Sequence, residues 1–332
     1  MKYLIISFLV FTIVSSCQNT CRKFTHLSGK AQGTYYNIKY CNIHSIDYHN
    51  EIEQLLKTFD STFSTYLEES IISRVNNNDP DVKSNEHFNK VFEKAKQISE
   101  ITGGLFDITV GPLVNAYGFG IGNKLTINEH VIDSLLNFVG YEKVIITDNV
   151  VKKENKAIQL DMNALAQGYA VDLVCKFLDE KGIKHYMVEL GGEVRTKGKN
   201  QDGVYWRIGI DKPIEGNIFP GNELQDIISL KDKALATSGN YRKFYEEDGI
   251  KYTHSINPKT GRPARSNLLS ATILANDCIT ADAYATACMV SGLEKSKELV
   301  SQISEIEAYL IYADEQGEYQ IWTSTGIVEI IE

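Results

Sequence analysis

Helical and strand patterns follow one another irregularly along this chain, without the strand-helix-strand cadence of a parallel sheet. That irregularity restricts it to an α+β fold. Asp47 to Phe59 carries Ile52, Leu55, Leu56 and Phe59 at helical spacing among charged residues. Phe88 to Ile101 repeats the pattern with Val91, Phe92, Ala95 and Ile98 and stops at Gly103-Gly104, where a left-handed cap is free of steric cost. A third helix is predicted from about Ala164 to Glu180, ending at Gly182. Strands are predicted over Lys143 to Thr147, Ala157 to Leu160, Tyr186 to Leu190, Val204 to Ile210, Leu268 to Leu274, Ala308 to Tyr312 and Tyr319 to Thr323, with Asp248-Gly249 as a hairpin turn. No Pro/Gly/Ser-rich linker, repeat or low-complexity tract divides the 332 residues, so one domain is expected over 28–332.

The first residues form a different unit. Met1-Lys2-Tyr3 precedes an apolar run, Leu4 to Val14, too short to span a bilayer, and Ser15-Ser16-Cys17 follows. This is the pattern of a secretory signal over 1–16, and Val14-Ser15-Ser16-Cys17 resembles a bacterial lipobox in which Cys17 is acylated. Residues 17–27 would then be a polar tether, and the protein would be exported and lipid-anchored, facing the periplasm. The net charge of −9 argues against a nucleic-acid partner. Of six cysteines none has CxxC spacing. Cys175 and Cys288 read as buried small hydrophobes, and Cys21 could pair with Cys41 outside the cytoplasm.

Four clusters carry candidate chemistry. In Ala281-Asp282-Ala283-Tyr284-Ala285-Thr286, Asp282 and Thr286 stand four apart on one helical face. They are either a cap and a packed hydroxyl, or two hard oxygens suited to Mg²⁺. His254 leaves a strand for a Pro/Gly turn, as a candidate general base or as a residue bonded to the turn. Nearby, Ala236-Thr237-Ser238-Gly239-Asn240 groups hydroxyls that either line a site or form a turn. Asp161 comes from a strand end into a helix whose first amides could face an anion, and Gly168 points to close approach by a ligand or by another helix. Asp107, in Thr102 to Val114, is an acid in an apolar setting that needs partners, which a flat ring with donor edges would supply. By contrast, Gly118-Phe119-Gly120-Ile121-Gly122 lacks the strand before and helix after that a nucleotide loop requires.

In order, Gly33-Thr34, Phe63 to Asn76, Thr102 to Leu113, Asp161 to Asp172, Gly191-Gly192-Glu193, Ala236 to Gly239, His254 to Gly261 and Ala281 to Thr286 resemble the ApbE-type FAD:protein FMN transferases. The resemblance covers almost the whole body. It implies a single T-fold-like α+β domain with mixed or antiparallel sheets and flanking helices, with FAD as substrate and Mg²⁺ at its diphosphate. Metal ligands map to the side chains of Asp282 and Thr286 and the main-chain oxygens of Ala164 and Ala285. FAD contacts map to Gln32, Leu105, Phe106, Asp107, Asp161, Gln167 and Ile256. A Thr or Ser hydroxyl of an acceptor flavoprotein, such as a subunit of a membrane redox complex, would attack the FMN-side phosphorus and release AMP, with His254 taking the proton.

Three departures bear on this. Gln167 stands where many members have Lys, removing a fixed charge near phosphate; Asn257 replaces Asp before Pro; and Gln32 stands where Met often precedes Gly-Thr. Two other functions fit the same residues: hydrolysis of FAD to FMN and AMP, and non-catalytic flavin binding by a lipoprotein.

Overall fold

The structure, a computed structural model, describes residues 23–214, 221–240, 244–247, 250–253 and 255–332. Its frame is a sheet of eight strands, Phe24–Ala31, Thr34–Cys41, Tyr186–Leu190, Glu193–Lys197, Ala234–Gly239, Leu268–Ala275, Glu307–Ala313 and Tyr319–Thr323. They lie side by side in chain order, each antiparallel to the next. The helices interrupt this meander without altering its order. Between the second and third strands come α1 (His49–Phe63), α2 (Ile71–Asn76), α3 (Glu86–Ile101), α4 (Gly111–Ala116), α5 (Glu129–Leu136) and α6 (Asn163–Glu180). Between the sixth and seventh come α7 (Cys278–Ser291) and α8 (Leu293–Gln302), and α9 (Thr325–Val328) follows the last strand.

Strand alternation assigns the two faces of the sheet. Ala234, Ala236, Ile273, Ala275, Ala308 and Leu310 turn toward the helices and join the main core. Val194, Leu235, Leu274, Tyr309 and Ile311 turn the other way onto the hairpin of Trp206–Asp211 and Leu224–Leu230. Small residues at Ala234 and Ala236 let α7 lie close on the strands. α7 is buried nearly all round, as its uniformly apolar or small composition requires.

The predicted helices are present with shifted ends, and Tyr186–Leu190 and Tyr319–Thr323 match their predicted bounds. The hairpin partners around Asp248-Gly249, Phe244–Glu247 and Ile250–Thr253, pair as expected, the two turn residues lying outside the described ones. Two expectations need correction. The first strand begins at Phe24, so it takes in the last four residues of the segment read as tether, and Leu27 is buried. Ala157 to Leu160 is not a strand. Its Leu160 exchanges hydrogen bonds with a side chain: Asn76 Nδ2 donates to the Leu160 carbonyl at 2.9 Å and Leu160 N–H donates to Asn76 Oδ1 at 2.7 Å. Among the described residues, the one backbone ladder contact there is a bridge from Gln159 to Val110.

Candidate active site

α6 and α7 pack against each other, and at Gly168 they leave no room for a side chain. A Cβ there would lie 2.8 Å from Asp282 Cβ and nearer still to the Cys278 carbonyl oxygen, so helix packing explains this glycine. The Gly168 N–H donates to Asp282 Oδ2 at 2.9 Å. Asp282 forms no ion pair among the described residues, and burial pushes its carboxyl up to about 7. One turn on, Thr286 Oγ1 lies 3.3 Å from Ser238 Oγ at the end of the Ala234–Gly239 strand. α7 runs unbroken through Ala285, which is fully buried.

A second acid stands beside this pair. Burial, and then the neighbouring Asp282, hold the Glu193 carboxyl well above the usual range. Gln167 Nε2 donates to Glu193 Oε2 at 2.6 Å and to the Leu190 carbonyl at 3.0 Å, and it occupies the space that a side chain at Gly191 would fill. The amide that replaces Lys is therefore engaged with Glu193. Neither Glu193 nor Ser238 was among the predicted site residues, although their motifs were legible, because only tertiary packing brings Glu193 to Asp282 and Ser238 to Thr286.

The structure joins two more of the candidate segments to each other. Asp161 N–H donates to the Ile108 carbonyl at 2.7 Å, joining the segment of Leu105, Phe106 and Asp107 to the start of α6, where Ala164 lies in the first turn. Asp161 Oδ1 accepts the Asn163 N–H, so one first-turn amide of α6 already has its anion. Asp107 likewise finds its partners inside the chain, correcting the expectation that a ring must supply them. Its Oδ1 accepts from Thr109 N–H at 2.8 Å and the Thr109 hydroxyl at 2.6 Å, and its Oδ2 accepts from Tyr141 N–H at 2.8 Å. A cleft of about 220 Å³ opens between Gly104, Asp107, Gly140, Pro258 and Lys259, adjoining Ile256 in its two-residue strand. Gln32 holds a left-handed turn at φ 53°, and its amide nitrogen is buried with no hydrogen-bond partner among the described residues. His254 and Cys17 lie outside the described residues, as does Cys21. Cys41 is disulfide-bonded, whereas Cys175, Cys278 and Cys288 are free and buried. Gly118 to Gly122 folds back on Asn115, with no helix following.

The donor set at the α6–α7 junction fits a hard divalent cation: a buried carboxylate without a cationic partner among the described residues, a hydroxyl one turn away, and the main-chain oxygen of Ala164 in the first turn of α6. The orphaned Gln32 amide fits a flavin edge rich in acceptors. Fold and site thus define an α+β protein that combines a set of oxygen donors where two helices pack with a polar cleft beside Asp107. The chain belongs to the ApbE family, whose model matches residues 32–310. It is 35% identical to an FAD:protein FMN transferase of Vibrio cholerae, with 96% of each chain covered, and 31% identical to one of Escherichia coli K12, with 90% and 87% covered. Among solved structures, the flavin transferase ApbE of Vibrio cholerae superposes with a TM-score of 0.83 at 35% identity, covering 93% of this chain and 99% of that one. The apo flavinyl transferase ApbE of Pseudomonas stutzeri gives 0.81 at 30%, covering 93% and 96%.

Proposed function

We propose that this chain is an FAD:protein FMN transferase that moves FMN from FAD to a Thr or Ser hydroxyl of an acceptor flavoprotein and releases AMP. The observation that carries the reading is full-length similarity to transferases of that name, in a chain whose Asp282 and Thr286 share one face of α7 at the junction with α6. Asp282, Thr286 and the main-chain oxygens of Ala164 and Ala285 would hold Mg²⁺, which when bound offsets the charge of the FAD diphosphate. Gln32, Leu105, Phe106, Asp107, Asp161, Gln167 and Ile256 orient the flavin nucleotide. Gln167 cannot supply the positive charge of a Lys, and its amide holds Glu193 instead. His254 takes the proton of the acceptor hydroxyl as the hydroxyl oxygen bonds to phosphorus and the phosphoanhydride bond to AMP breaks.

Export and anchoring through an acylated Cys17 complete the reading. The leader and lipobox support it, and among the described residues no helix is long and apolar enough to cross a membrane. Flavin-bearing subunits of membrane redox complexes are then acceptors within reach. The test is incubation with FAD, Mg²⁺ and a purified acceptor. Flavin fluorescence that stays with the acceptor on a denaturing gel supports transfer, and FMN released equally without acceptor replaces it with hydrolysis. FAD binding with no turnover leaves a binding protein.

A further inference from the structure

The contact between α6 and α7 runs along one stripe of each helix. Ala164, Gly168 and Asp172 follow at four-residue intervals on α6, and Cys278, Asp282 and Thr286 do so on α7. At the middle of the stripe the Gly168 N–H meets Asp282. At its far end Asp172, two turns from Ala164, reaches the start of α7. Its Oδ1 accepts the Cys278 N–H at 3.0 Å and its Oδ2 accepts the Ile279 N–H at 2.9 Å, while Arg195 Nη1 on the neighbouring strand donates to Oδ1 at 2.5 Å.

The first N–H groups of a helix have no partner within it and are ordinarily met by the residue just before the helix. Here that residue, Asp277, accepts the Thr280 N–H with its side chain at 3.0 Å and the Ala281 N–H with its carbonyl at 3.3 Å, and neither bond reaches the first two amides. The first two amides are met by a carboxylate on another helix. A negative charge at this end also suits the helix dipole. Asp172 therefore tethers α7 to α6, whereas Asp277 only caps it.

We infer that Asp172 is a positioning residue for the cation site. By gripping the first two amides of α7 it fixes how far along α6 the oxygens of Asp282 and Thr286 stand from that of Ala164. The inference rests on the proposed reading of those atoms as Mg²⁺ ligands. Mg²⁺ demands near-ideal octahedral geometry, and sites of this kind work only within about 0.5 Å of it, so a tether two turns away governs affinity without touching the ion.

The experiment measures Mn²⁺ binding to the purified protein by EPR, without FAD, together with amide exchange at the start of α7 by mass spectrometry. Wild type binds Mn²⁺. Asp172→Asn weakens binding about ten- to a hundredfold and speeds exchange at Cys278 and Ile279. Asp172→Glu keeps the charge facing Arg195 but lengthens the reach, and it also weakens binding, which carries the test if the Asn variant does not fold. Asp277→Ala lowers the melting temperature yet leaves Mn²⁺ affinity within about twofold, because it removes a cap and not the tether. A folded Asp172 variant that binds Mn²⁺ as wild type does overturns the inference, and so does equal weakening by Asp277→Ala. Wild-type protein that binds no Mn²⁺ overturns the underlying cation reading, a failure visible before any variant is made.

Discussion

Gly168 on α6 gives its backbone N–H to Asp282 on α7 at 2.9 Å, the same N–H that the regular helical pattern would direct at the carbonyl of Ala164. The contact therefore ties one proposed cation ligand to the turn of α6 that begins at another. It also needs a residue without a side chain, since a Cβ at 168 runs into α7 backbone and the Asp282 stem.

Gly168→Ala separates the local preference of the helix from this packing. Alanine favours a helix interior by about 1 kcal/mol over glycine, whereas overpacking a close contact costs about 1–3 kcal/mol. The obstructing atoms are largely backbone, which cannot turn aside, so the penalty takes the upper end and the variant is destabilised by about 2 kcal/mol. Urea unfolding measures this, and equal or greater stability of the variant contradicts the packing described.

The Asp282 carboxyl, raised by burial to about 7, links stability to pH. Between the unfolded value of 3.8 and about 7 the folded protein holds a proton that the unfolded chain has lost, so stability falls as pH rises through this window. The contribution is intact below pH 3.8 and lost above about 7. At about 1.4 kcal/mol for each unit, it amounts to a few kcal/mol. In EDTA, the melting temperature of wild type relative to Asp282→Asn should decline from pH 5 to pH 8. Mg²⁺ should raise the wild-type value more at pH 8, where the carboxylate is ionised. A difference between the two proteins that does not change with pH would refute the burial argument.

Helices α1 and α3 were legible because their buried residues recur at helical spacing. Phe24–Ala31 was not, since only Leu27 in it is buried and its polar neighbours suit an edge strand. Ala234–Gly239 escaped because small residues, chosen to let α7 approach, carry no strand signal. Ala157 to Leu160 has strand composition, yet Asn76 supplies with its side chain the hydrogen bonds that a neighbouring strand would have given. The same division holds for the site. Asp282 and Thr286 share a face that spacing alone reveals, whereas Glu193, Ser238 and Asp172 join them only through contacts between elements far apart in sequence.

Glu193 depends on Gln167 in a way that a single substitution exposes. Gln167→Leu keeps the bulk beside Gly191 but removes the amide that donates to Glu193 Oε2 and the Leu190 carbonyl. Leaving a buried acceptor unsatisfied costs about 1–3 kcal/mol. The variant should lose that much stability, which urea unfolding measures. A variant as stable as wild type would contradict the role given to the amide.

In the proposed reaction Asp282 and His254 serve different steps, so their variants should fail differently. Asp282→Ala removes the only carboxylate of the proposed ligand set, so AMP release should cease and the Mg²⁺-induced rise in melting temperature should vanish. His254→Ala leaves the ligand set whole and removes only the proton acceptor, a role worth about 10²–10⁴ in rate. FAD should still bind to it, as flavin fluorescence titration will report, while transfer slows by at least about a hundredfold and recovers in part as pH rises and the acceptor hydroxyl sheds its proton more readily. If both variants turned over like wild type, the roles assigned to these side chains would be wrong. If His254→Ala lost FAD binding and transfer together, the histidine would belong to the binding surface and not to the proton transfer.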